Sequence, residues 1–89
     1  MIGECFLVAT WYAKGLRNPE AFTAASRKYP RGSQLCVHRG ASHVIVTVND
    51  WVEEPTVDLD LSRGAFRVLS PLSTGKITVR AHTLQRKHP

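Results

Sequence analysis

Apolar and polar positions alternate with a period of two in two stretches of this 89-residue chain, and that period belongs to strands, whose successive side chains point to opposite faces. Cys5 to Tyr12 (CFLVATWY) is rich in β-branched and aromatic residues that suit a half-buried pleated surface, and it stops at Lys14-Gly15. Between His43 and Asn49, Val44, Val46 and Val48 alternate with His43, Ile45, Thr47 and Asn49. Leu35-Cys36-Val37 precedes this run across the turn Arg39-Gly40-Ala41-Ser42, so the two read as a hairpin. From Lys76 to Leu84, Ile77, Val79 and Ala81 point inward against Thr78, Arg80 and His82. Thr56 to Leu59 adds a short strand.

One segment changes period. Leu61, Ala65, Phe66 and Leu69 recur at helical spacing, with Ser62 or Asp60 as a cap for the first free N–H groups and Ser70-Pro71 as the stop. Leu16 to Ser33 holds Asn18-Pro19, Tyr29-Pro30 and Arg31-Gly32, pairs that break regular structure. It reads as an ordered loop with room for one helical turn near Glu20 to Ala25. Five or six short strands and one short helix make a mainly β domain, and closing the sheet into a barrel removes its exposed edges.

At 43% hydrophobic and 21% charged, the chain has material for one core: a single domain over residues 1–89, with the barrel over about 5–84 and a basic tail over 85–89. The longest apolar runs, Cys5 to Ala9 and Val44 to Val48, fall far short of the ~20 residues that cross a bilayer. The N-terminus has no basic region leading into an apolar stretch, so no signal peptide is expected. Net charge is +4 over residues 1–45, −3 over 46–70 and +4 over 71–89. The basic balance is compatible with nucleic acid, an anionic membrane or an anionic wall polymer, and nothing but charge points to nucleic acid. Cys5 and Cys36 could bridge in an oxidising compartment if they fell on neighbouring strands, and two independently buried thiols are the alternative. They have no zinc-site spacing, and neither a metal nor another cofactor is expected.

Five pieces in order, Ala9-Thr10-Trp11-Tyr12, Thr23-Ala24-Ala25, Tyr29-Pro30-Arg31-Gly32-Ser33, Val46-Thr47-Val48-Asn49-Asp50 and Asp60-Leu61-Ser62 with Ala65-Phe66, resemble the rare lipoprotein A-like family of the expansin superfamily. The resemblance covers roughly residues 8–80. It implies a six-stranded double-psi β-barrel with one short helix. It also implies a peptidoglycan or related glycan strand as ligand, lytic transglycosylation as the activity and a place in the cell envelope, outside the cell or on a virion. The alternative is a non-catalytic barrel, such as a virion or tail component with protein partners in a larger assembly.

The family's catalytic aspartate falls on Asp50, at the end of a strand. Lytic transglycosylation asks one carboxyl group to protonate the leaving oxygen and then take the proton from the sugar's C6 hydroxyl. Ordinary hydrolysis needs two carboxyls, and Glu53, Glu54 or Asp58 is close enough in sequence to supply the second. Asp50 has an alternative role in a turn, bonding its own backbone. Trp11, Tyr12 and Trp51 are candidate planes for a sugar ring, with one of the first two facing the core. Ser26 stands where catalytic members carry a histidine, and Glu53 replaces part of their Arg-Gly-Pro segment. Asp60 reads as a helix cap, and His38, His43 and His82 as solvent-facing strand residues.

Overall fold

The computed structural model describes residues 5–84. Its strands are β1 (Cys5–Tyr12), β2 (Thr23–Ser26), β3 (Gln34–Arg39), β4 (Ser42–Asp50), β5 (Leu59–Ser62) and β6 (Lys76–Thr83). Helix α1 (Arg63–Leu69) and a 3-10 turn (Leu72–Thr74) lie between β5 and β6. The sheet closes in the order β1-β5-β2-β4-β3-β6. The pairs β1 with β5 and β2 with β4 are parallel, and the other four are antiparallel. This strand order, with β1 parallel to β5 and β2 parallel to β4 in a closed six-stranded sheet, is that of a double-psi β-barrel.

Alternation fills the barrel. Leu7 and Ala9, Leu35 and Val37, Val44, Val46 and Val48, Leu59 and Leu61, and Ile77, Val79 and Ala81 all point inward, and Phe66 of α1, fully buried, joins the same core. The hairpin turns at Gly40, whose φ of 60° is the left-handed conformation that a tight connection needs and glycine adopts without strain.

Two elements differ from the sequence reading. Thr23 to Ser26 is a strand, not a helical turn. Four small residues carry no readable period, and pairing with β4 on one side and β5 on the other decides their conformation. The fifth strand starts at Leu59 instead of Thr56 and runs to Ser62, so Asp60 lies inside a strand and does not cap α1. Ser62 is the cap: its Oγ accepts from Ala65 N at 3.2 Å.

The same buried hydroxyl accepts from Thr23 N at 3.3 Å and donates to Ala21 O, joining α1 to the chain entering β2. Ser62→Ala leaves these buried backbone groups without partners and is expected to lower stability by about 2 kcal/mol. In urea unfolding the midpoint should fall with the slope unchanged.

Strand β6 separates β1 from β3, so Cys5 and Cys36 do not sit on neighbouring strands, and Cys36 is a free thiol. The expected tail over 85–89 lies outside the described residues. Among the described residues no helix is long and apolar enough to cross a membrane.

Candidate functional site

A row of residues crosses four strands on the outer face of the barrel. Ala25 of β2 lies opposite Asp60 of β5 on one side and Asp50 of β4 on the other, and Thr10 of β1 lies opposite Asp60. The β2–β4 register slips between Ala24 and Ala25: Ala24 faces Val48, but Ala25 faces Asp50 and skips Asn49. Strict alternation would send Asp50 to the same side as Val44, Val46 and Val48. The bulge re-aims it onto the outer face. Ala25 is small, so its methyl forms a floor between the two carboxyl groups. The backbones that carry them are two strand spacings apart, about 10 Å.

The two acids have unlike surroundings. Asp60 is half-buried and accepts the Thr10 hydroxyl on Oδ1 at 2.9 Å. Burial raises its pKa from the ordinary aspartate value; the Thr10 hydrogen bond opposes this and the charge of Asp50 adds to it. Asp50 is more open. Its Oδ1 accepts from Trp51 N at 2.8 Å and lies 3.8 Å from the Arg31 guanidinium, and its Oδ2 accepts the Tyr12 hydroxyl at 3.4 Å. Tyr12 is pushed up to about 12, first by burial and then by Asp50 and Asp60, so it remains a neutral donor throughout the working pH range. One partly buried acid beside an open acid is an arrangement suited to proton transfer.

The sequence-derived candidates separate on this geometry. Asp50 and Tyr12 meet in the row, and Trp51 follows Asp50 with 58% of its surface exposed. Trp11, its neighbour in β1, faces the other way: it packs against the core, and its Nε1 donates to Leu72 O at 3.0 Å. Ser26 is buried, its Oγ donating to Asp58 O and accepting from Lys28 N, both at 3.0 Å, and takes no part in the row. Glu53 is exposed in the loop after β4. Asp58 is engaged elsewhere, accepting from Val8 N at 2.9 Å with Lys28 3.7 Å away. Glu54, also exposed in the loop after β4, accepts from Thr56 N at 3.3 Å. The carboxyl that shares the row with Asp50, across Ala25, is Asp60. A signal for it lies in Leu59-Asp60-Leu61, where an acid alternates with two fully buried leucines as a strand requires and a cap does not. His38, His43 and His82 lie on another part of the outer face, over β3, β4 and β6, with the rings of His38 and His82 edge to face at 5.9 Å.

Known proteins resemble this chain along most of its length. A family model described as "Lytic transglycolase" matches residues 4–81. The "Probable endolytic peptidoglycan transglycosylase RlpA" of Nostoc sp. is 40% identical over 78% of this chain, which spans 19% of that protein's length. An expansin of Clavibacter michiganensis superposes with a TM-score of 0.79 at 26% identity, over 97% of this chain and 52% of that one. A mutant of the Clavibacter michiganensis expansin, solved in complex with cellohexaose, superposes at 0.75 with 25% identity, over 96% and 54% of the two chains.

Proposed function

Because the chain belongs to the lytic transglycolase family of double-psi β-barrels, we propose that it cleaves peptidoglycan glycan strands without water, with Asp60 as the proton-transferring carboxyl. The observation that carries this reading is the half-buried Asp60, whose pKa is raised while the open carboxyl of Asp50 stands across Ala25 from it. The identity to the Nostoc protein supports the choice of peptidoglycan.

In this mechanism a glycan strand lies across the row. Neutral Asp60 gives its proton to the glycosidic oxygen as the bond from that oxygen to C1 breaks. The positive charge that develops on C1 and the ring oxygen faces the Asp50 carboxylate, which Tyr12 and Arg31 hold in place. The same sugar's C6 hydroxyl attacks C1 and passes its proton to the ionised Asp60, which regenerates the acid. One product ends in a 1,6-anhydro ring and the other in a free hydroxyl; no water is consumed. The exposed indole of Trp51 offers a flat apolar plane on which a pyranose stacks beside Asp50.

The pH profile tests the assignment. Asp60 must start protonated, so kcat/KM falls as pH rises through its raised pKa. The charge of Asp50 is one of the causes of that rise. Asp50→Asn should therefore move the alkaline limb to lower pH, in addition to slowing the reaction. A limb in the same place in both proteins would remove Asp60 from the proton-transfer role.

A second reading has a specific observation behind it. The family's histidine position is Ser26, which is buried and spent on backbone, and an expansin of this fold has been captured with cellohexaose. A barrel that binds a wall glycan without cutting it, within a larger assembly or a virion, would use the same face. It would retain glycan strands and release no fragments.

A further inference from the structure

The row of carboxyls continues onto a strand of opposite charge. Lys76 of β6 is the register partner of Thr10, and cross-strand partners share a face, so Lys76 extends the line Asp50, Ala25, Asp60, Thr10 by one strand. There the surface opens into a depression of about 590 Å³ lined by Val8, Arg39, Thr74, Lys76, Ile77 and Thr78. Among the described residues two cations and two hydroxyls line it, and no carboxylate does. Lys76 is exposed and makes no ion pair among the described residues. Arg39 is fixed by an Nη1 bond to Leu69 O at 3.1 Å, at the end of α1.

The rim is held from behind. Thr74 ends the 3-10 turn whose Leu72 carbonyl accepts Trp11 Nε1, and Gly75, with φ of 76°, turns the chain into β6. Trp11 thus sets the position of this rim from inside the barrel, as Tyr12, pointing the other way, meets Asp50.

We propose that this depression is a subsite for a carboxylate carried on the glycan, the free lactyl carboxylate of a muramoyl residue that bears no stem peptide, read by Lys76 and Arg39 with the hydroxyls of Thr74 and Thr78. This rests on the peptidoglycan reading for the source of the carboxylate. Lys76 and Asp60 are on strands two spacings apart, about 10 Å, so a strand cut at Asp60 reaches Lys76 with a neighbouring sugar. A charge-assisted contact at this point selects an acidic glycan over a neutral one such as cellulose.

The test is an amide chemical-shift titration of the full chain at fixed salt with N-acetylmuramic acid, its methyl ester and inorganic phosphate. The acid should shift the amides of residues 74–78 and bind about tenfold more tightly than the ester, as loss of one or two charge-assisted hydrogen bonds implies. Lys76→Gln should abolish that difference, and Asp60→Asn should leave it in place. Equal binding of acid and ester, or a preference that survives Lys76→Gln, would overturn the subsite. Phosphate shifting the same amides as strongly as the acid would overturn the carboxylate assignment in favour of a phosphate-bearing polymer. None of these readouts needs cleavage, so a chain inactive on peptidoglycan would sink the catalytic reading and leave this one to its own result.

Discussion

Asp60→Asn should reduce fragment release from peptidoglycan by about 10²–10⁴-fold, the range that a positioned general acid contributes, with the barrel still folded. Asparagine keeps an acceptor for the Thr10 hydroxyl and nearly the same volume; what it lacks is the proton. Stability separates this outcome from damage to the fold. The folded-state pKa of Asp60 lies above its unfolded value, so the folded protein binds the proton more tightly. Stability then declines as pH rises between the unfolded and folded values, and the deficit persists at neutral pH. Asp60→Asn removes that penalty and should be at least as stable as the parent at pH 7, and pH dependence of unfolding in this window should flatten. Asp50→Asn should lose less activity, because its carboxylate stabilises charge without carrying the proton. A variant at Asp50 that matched or exceeded the loss at Asp60 would reverse the two roles.

The largest structural effect is expected from Gly64→Ala. Gly64 is the second residue of α1, and its N–H donates to Pro19 O at 2.9 Å. A Cβ built there would sit 2.7 Å from the carbonyl carbon and 2.8 Å from the Cα of Glu20, with the Glu20 oxygen closer still. Every one of these is backbone, so no side chain can swing aside. Either the loop before β2 or the helix must move, at a cost of about 3 kcal/mol or more. That loop feeds Thr23 to Ser26 into the sheet, and Glu20 is also held by Arg63 and Arg67. Activity should fall along with the thermal midpoint, because β2 carries the Ala25 floor between the acids. Helix propensity alone would favour alanine, so a stabilised variant would show the close approach to be unimportant.

What the sequence revealed followed where a residue's neighbours lie along the chain. Val44, Val46 and Val48 disclose β4 because each alternates with a polar neighbour, and Phe66 and Leu69 disclose α1 in the same way. Thr23 to Ser26 has no such contrast, and its strand exists because β4 and β5 lie on either side of it. Asp60 resembles a helix cap in the sequence for a related reason. Its nearness to Ser62 suggested a helix start, whereas its partners, Thr10 and Ala25, are distant in sequence and appear only once the barrel closes. Asp50 was found at the end of its strand, but the bulge that skips Asn49 and turns it toward Asp60 has no signature in Val48-Asn49-Asp50. The Trp11 and Tyr12 pair was legible as one residue in and one out; which was which required the Leu72 carbonyl and the Asp50 carboxylate.

Mass spectrometry of the soluble fragments from purified peptidoglycan treated with the wild-type chain tests the central claim most directly. Asp60 regaining its proton from the C6 hydroxyl predicts fragments that end in 1,6-anhydro sugars, absent after treatment with Asp60→Asn. Fragments ending in ordinary reducing sugars, one water heavier, would mean that water is the nucleophile. No fragments from a folded wild-type chain that still binds the glycan would contradict catalysis altogether.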